Sequence, residues 1–286
     1  MKKLLLLSSL VFLTYANENT QQTTDNYRGY NYISIGMEQV QYEEDITLSN
    51  GLKVHSKATA SSPVYISGSL MRVNDTFDFS IDISSTILPT QVDEKWYADG
   101  SLAQQNKFDA LITNMQFLGH YKFTNNHRLL AGVMYKLNSF KRYDFRDENG
   151  NPILDADTGA KIGLTEERVA TLYAAIGYGY ESTPFAKPDS FRFKLDLLAA
   201  HAIWNEATNT GFERVVFDSI NGYKLSASGY VGYTIYDNVE LGCFLTYFKE
   251  YKNGVDTADD QHTKWPDNTL SILQGGLSIV WNFSQN

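Results

Sequence analysis

A chain of 286 residues with 33 Asp and Glu against 24 Lys and Arg carries a net charge of −9, so it lacks the cationic surplus that phosphate neutralisation requires, and nucleic acid is excluded as a partner. Cys243 is its only cysteine, which excludes an internal disulfide. A mean hydropathy of −0.32, with no run of about 18 apolar residues past the N-terminus, excludes a helical membrane protein but not a barrel, whose strands turn only every second residue to lipid.

Met1-Lys2-Lys3 is followed by an almost wholly apolar run, Leu4 to Leu13, and by the small-residue ending Thr14-Tyr15-Ala16. This is the pattern of a cleaved secretory signal peptide over 1–16, and it predicts a mature chain starting at Asn17. Loss of Lys2 and Lys3 leaves 22 basic against 33 acidic residues, a net charge of −11. Residues 17–29 are polar and are expected to form a flexible segment ahead of one domain over 30–286.

From Tyr30 onward, apolar and polar residues alternate with period two, the pattern of a strand whose two faces meet different media. Strands are predicted over 30–41, 63–73, 77–88, 109–123, 128–143, 167–181, 191–204, 222–236, 239–251 and 269–283. Phe77, Phe79, Ile81 and Ile83 oppose Asp78, Ser80, Asp82 and Ser84, and Phe191, Phe193, Leu195 and Leu197 oppose Arg192, Lys194 and Asp196. The last strand sets Leu273, Leu277, Ile279, Trp281 and Phe283 against Gln274, Ser278 and Asn282. All six prolines are expected at strand edges or between strands, because proline offers a ladder no N–H.

Short connections near 74–75, 124–127, 182–190 and 237–238 alternate with long ones over 42–62, 89–108, 144–166, 205–221 and 252–268. The stretch 50–61 has strand character of its own but is assigned to the first long connection, which preserves the alternation. Asp147 to Gly159 carries two turn signals about Pro152-Ile153-Leu154 and predicts a hairpin standing above the membrane. In a bilayer every backbone N–H and C=O needs an internal partner, which leaves strands a closed sheet. The expected fold is therefore all-β: a closed antiparallel transmembrane up-and-down β-barrel of about 10 strands, with 8 or 12 as alternatives. A soluble sandwich fits less well, because the predicted strands are longer than the usual globular mode of about 5–6 residues. The 19 Tyr, 16 Phe and 4 Trp suit aromatic girdles at two interfaces.

Over roughly Tyr30 to Phe283 the chain resembles Gram-negative outer-membrane β-barrel proteins as a broad class, through its signal-like start, its loop and turn alternation, and the ending Ile279, Trp281 and Phe283. The resemblance implies residence in the outer membrane among lipid and lipopolysaccharide, and insertion by the barrel assembly machinery, with Ile279, Trp281 and Phe283 as the assembly signal. Ser284-Gln285-Asn286 depart from that class, in which the aromatic is usually the last residue.

The groups expected to line the lumen are Asp78, Asp82, Lys122, Arg128, Lys136, Arg192, Lys194, Asp196, Lys224, Glu240 and Glu250. Ten strands make a barrel slightly wider than the eight-stranded kind that side chains fill. The groups thus form either a filled network of ion pairs, which is favoured, or a narrow charged path for small solutes. A hairpin closing at Asp237-Asn238 would set Glu250 diagonally across from Lys224 on the inner face.

No catalytic set, metal or cofactor is assigned. His55 and His262 fall in long connections, the latter beside Asp259 and Asp260, but no Gly-x-Ser-x-Gly accompanies them. Asp155 to Glu166 imitates the ends of a calcium loop, yet Gly159 arrives at the fifth position rather than the sixth. Cys243 belongs to the lipid face, and Glu43, Glu44, Asp45, Asp93, Glu94 and Trp96 are placed in long connections, facing solvent or a surface ligand. The expected function is non-enzymatic: a porin-like narrow channel or a structural surface protein. An outer-membrane hydrolase and a surface adhesin or receptor barrel are the alternatives.

Overall fold

The computed structural model describes residues 27–48, 50–182, 189–210, 217–218, 221–236, 238–256 and 264–284. The expected signal peptide, most of the expected flexible segment, Pro184, Pro188, Asp259, Asp260 and His262 lie outside the described residues. The strands are β1 (Tyr27–Thr47), β2 (Lys53–Arg72), β3 (Phe77–Thr86), β4 (Val92–Ala98), β5 (Ser101–Lys122), β6 (His127–Asp147), β7 (Thr165–Glu181), β8 (Phe191–Asn209), β9 (Phe217–Asp218), β10 (Tyr223–Tyr236), β11 (Val239–Lys252), β12 (Val255–Asp256), β13 (Lys264–Trp265) and β14 (Asp267–Ser284).

Antiparallel pairing runs β1-β14-β11-β10-β8-β7-β6-β5-β3-β2, and β2 returns to β1, so a ring of 10 strands closes without an edge. β4 continues the line of β3 between β2 and β5, while β9 lies on β8 and β12 pairs with β13. At the closing seam Gly36 faces Gly276, and a Cβ on Gly36 would lie 2.2 Å from the Gly275 carbonyl oxygen. Only glycine lets the backbones approach that closely.

Several strands run past their predicted ends. Residues 53–61, assigned to a connection, are the upper part of β2, paired with β1 from Lys53↔Thr47 down to Ser61↔Gln39. They lengthen a wall strand instead of adding one, so the long and short alternation survives. Tyr27 to Gly29, expected in the flexible segment, already belong to β1, and residues 92–98 and 101–108, expected in a connection, are β4 and the start of β5. Pro63 is inside β2 rather than at a strand edge. Its carbonyl accepts from the Ile87 N–H at 2.9 Å, so its N–H-less side faces the break between β3 and β4, where the wall needs no donor.

The long strands have two parts. Near the short-turn end, the outward residues are apolar and exposed: Ile33, Ile35 and Met37 on β1, Ile176 on β7, Leu245 on β11, Leu277 and Ile279 on β14. An apolar belt around a closed sheet with a polar interior is a lipid-facing surface. Toward the long-loop end the outward residues become charged, with Lys57 bonded to Glu43 at 2.8 Å, Lys107 to Asp93 at 2.7 Å and Arg168 to Glu166 at 3.0 Å. A tilted strand crosses a bilayer in about 9–11 residues. Strands such as β1 with 21 residues and β5 with 22 therefore cross it and continue into water.

The interior inverts in step with the outside. Below, it carries most of the buried ions, interleaved with smaller apolar groups such as Leu118, Leu130 and Leu198 and Tyr30, Leu70 and Val280; above, it holds a larger apolar cluster of Val40, Tyr42, Phe108, Ile112, Phe140, Phe248, Leu270 and Ile272. On β1 the apolar residues thus switch from odd positions (33, 35, 37) to even ones (40, 42).

Candidate functional site: the barrel lumen

Three layers fill the lumen. The lowest is a chain of ions strung across β3, β5, β6, β7, β8 and β11. Lys122 bonds Asp78 at 2.8 Å, Asp78 lies 4.0 Å from Arg128, and Arg128 pairs with Glu181. Arg192 bonds Glu181 and Glu240, each at 2.9 Å, and its guanidinium lies 4.4 Å from the centre of the Tyr30 ring. Asn282 donates to the free Glu240 oxygen at 3.2 Å. Most of these ions therefore have two partners, the condition under which buried charge is tolerated.

The middle layer is less tightly tied. Tyr32 and Gln116 donate to Asp82 at 2.6 and 2.9 Å, and Lys194 bonds Asp196 at 3.0 Å. Lys136 reaches across the barrel to pair with Glu250, which also takes Lys252 at 3.3 Å. Lys224 donates to Asn114 at 3.1 Å and stands 4.4 Å over the Phe248 ring. Glu250 is directly opposite Lys224 on the inner face, rather than diagonal, yet its oxygens go to Lys136 and Lys252. Beside them lies a cavity of about 150 Å³, lined by Asp82, Asn114, Gln116, Lys194, Asp196 and Lys224 among others.

The top layer crosses the tube. Tyr42, Phe108 and Phe140 pack with ring centroids 4.4 to 5.8 Å apart, spanning the barrel from β1 to β5 and β6. Directly on them lies the Arg142 guanidinium, 5.8 Å from the Tyr42 ring centre and 5.5 Å from that of Phe108. It bonds Glu94 at 2.8 Å, Glu44 at 2.9 Å and Glu167 at 3.0 Å, tying β1, β4, β6 and β7 together. Tyr42 donates to Glu44 at 2.6 Å, Asn106 to Glu94 at 2.8 Å, and Trp96 to Asn106 at 2.8 Å.

Every residue named from the sequence as lumen-lining projects inward, and the structure gathers them in the two lower layers. Glu44 and Glu94, expected in solvated connections, are instead buried at 3% and 0% exposure in the top layer. They occupy inward positions on strands that outrun the bilayer, whereas their neighbours Glu43, Asp45 and Asp93 point outward. Arg142, Glu167 and Glu181 were not singled out either, although strict alternation carried to the strand ends places all three inside. Cys243 is exposed on the outward face. His55 bonds Asp45 at 2.9 Å, also on the outward face above the belt. In the long connection after β6, Asp155 caps its own turn, accepting from Thr158 Oγ1 at 2.7 Å and Thr158 N at 2.8 Å, while Glu166 is held by Arg168 and Ser139. Those turn bonds hold the Asp155 carboxyl below the usual carboxylate range. Arg146 bridges Pro152 and Leu154 bridges Lys161, so this connection is partly strand-like.

No family model matches the chain, and no curated protein does. Among solved structures it is similar to the outer membrane protease OmpT from Escherichia coli, with a TM-score of 0.57 at 13% identity over 93% of this chain and 99% of that one. The chain has the fold of the Gram-negative outer-membrane β-barrels. The translocator domain of the autotransporter NalP from Neisseria meningitidis (TM-score 0.34, 11% identity, 99% and 95% covered) and the Ralstonia pickettii toluene transporter TbuX (0.35, 9%, 90% and 90%) are more distant barrels.

Proposed function

We propose that the protein is a non-enzymatic, solute-tight barrel of the outer membrane, a structural stem that carries its long connections above the cell surface. The short turns then face the periplasm, lipopolysaccharide covers the outer part of the apolar belt, and the barrel assembly machinery inserts the chain through its C-terminal strand. The observation that carries the reading is the stack of Tyr42, Phe108 and Phe140 beneath the Arg142 fork. A conducting path needs a continuous column of water. Here aromatic rings and a guanidinium bonded to three carboxylates occupy it, and opening it would expose four buried charges and break their bonds. Planar-bilayer recording of the refolded protein tests this, with silence expected and discrete ohmic steps counting against it.

A hydrolase is the second reading, favoured by the fold shared with a protease. Among the described residues the His–Asp bond is His55–Asp45, which sits on the outward face, away from the lumen. Cleavage of an unfolded peptide pool by the purified barrel, lost in His55→Ala, would replace the first reading with this one.

A further inference from the structure

The lowest and the top layer do not carry the same balance of charge. In the lowest, Lys122, Arg128 and Arg192 meet Asp78, Glu181 and Glu240, cation for carboxylate. The Arg142 hub sets one cation against Glu44, Glu94 and Glu167, all buried, an excess of two negative charges when all three are ionised. A buried carboxyl in that position takes up a proton rather than stay charged. The hydrogen bonds decide which of the three gives way. Glu94 takes Arg142 on both oxygens, at 2.8 and 3.1 Å, and adds Asn106 at 2.8 Å and Ser56 at 3.3 Å. Glu44 takes Arg142 at 2.9 Å and the Tyr42 hydroxyl at 2.6 Å. Glu167 takes Arg142 at 3.0 Å on Oε2, and among the described residues its buried Oε1 has no hydrogen-bond partner. Donors hold a carboxylate in its ionised form, so the one with the fewest is the easiest to protonate.

We infer that the Arg142 hub is a proton-binding site in which Glu167 takes the proton, so that acidity governs how firmly the upper half of the barrel is held. The proton sits on Oε1 and leaves Oε2 to Arg142. Glu167 stands above the apolar belt, between the outward-facing ion pair of Glu166 and Arg168. The groups that meet it are Arg142 from β6, Glu44 and Tyr42 from β1 and Glu94 from β4, while β8 sets Asn209 opposite it in register. Burial pushes its carboxyl up to about 7, against the pull of Arg142 and with Glu44 and Glu94 adding to the rise. That value lies above the ordinary carboxylate value of the unfolded chain. The stabilisation is therefore full below the ordinary value and is lost as pH rises through about 7. The inference concerns stability rather than conductance, and it stands or falls apart from the solute-tight reading.

The test compares the full wild-type chain with Glu167→Gln, both refolded in detergent, by the urea midpoint for loss of heat-modifiable gel mobility. The amide copies the protonated carboxyl, and taking the ratio of the two proteins cancels the titration of every other group. Between about pH 5 and about pH 8.5 the variant is expected to gain at least tenfold on the wild type in folding equilibrium constant. Infrared spectra give a second reading that does not depend on stability. The wild type near pH 5 should show a carboxylic-acid C=O band that fades by about pH 8.5 and that Glu167→Gln lacks. A ratio that does not change with pH, or an acid band that the variant keeps in full, would make Glu167 a permanently ionised partner of Arg142 and overturn the inference. Failure of Glu167→Gln to fold near pH 5 would overturn it as well, because a side chain equivalent to the protonated one must fit there.

Discussion

The half of the barrel inside the bilayer and the half above it are built on opposite rules from the same strands. Inside the bilayer the outer face is apolar and the lumen holds a chain of ions with small apolar groups between them; above it the outer face is charged and the lumen holds packed rings under one ion hub. Each half puts its apolar side chains where water is not. The solvent outside decides the phase, and the strand merely continues through the change. The ions differ as well. The lower chain spreads charge so that Glu181 and Arg192 each touch two partners, whereas the upper half makes Arg142 a hub for three carboxylates.

A hub and a chain fail differently, and this is where the comparison can be broken. Arg142→Met leaves Glu44, Glu94 and Glu167 buried together without a cation, and is expected to cost about 3–5 kcal/mol, read as a lower midpoint for loss of heat-modifiable mobility in urea. An unchanged midpoint would mean that the hub does not hold the upper half. Phe140→Ala removes the ring between Tyr42 and Phe108, and a cost near 3 kcal/mol is expected in the same assay, as for other buried aromatics. A value within error of zero would show the rings to be loosely packed. In the lower chain, Glu240→Gln keeps an oxygen for Arg192 and leaves Arg192 its bond to Glu181, so the loss should be smaller, about 1–3 kcal/mol. If it exceeds that of Arg142→Met, the contrast between hub and chain is wrong.

The smallest effect belongs to neither half. Asp155→Ala should leave the urea midpoint of the barrel within error of wild type, because the residue is exposed. It should loosen its own turn, seen as faster amide exchange at Thr158. The Asp155 pKa is depressed in the folded turn, so the turn is fully held above the ordinary carboxylate value and loosens as pH falls through the lower one. Exchange at Thr158 that is flat across acid pH would remove this assignment.

The bilayer half was legible in the sequence because its alternation is strict. Phe77 to Ser84 and Phe191 to Leu197 give the pleat, and the parity of Asp78, Arg192 or Lys224 gives the lumen. The upper half was not, because the phase flips within a strand. After Met37 the apolar positions of β1 move to Val40 and Tyr42, and the alternation that marks a strand is interrupted there. The expected first strand ends at 41 and the fourth begins at 109, and residues 50–61, though strand-like, are given to the first connection to preserve the alternation of loops; the top of β2, β4 and the start of β5 were hidden that way, and with them Glu44 and Glu94. Pairing across the barrel was hidden too, since Lys136–Glu250 and Arg142–Glu44 depend on how ten strands curve round to face one another.

Whether the rings and the Arg142 hub shut the tube is asked most directly by single-channel recording of the wild type beside a Tyr42→Ala/Phe108→Ala/Phe140→Ala variant in the same bilayers. A silent wild type and a variant with discrete conductance steps are predicted. Steps of equal size from both proteins would contradict the account, for then the rings would not stand in the path of the current.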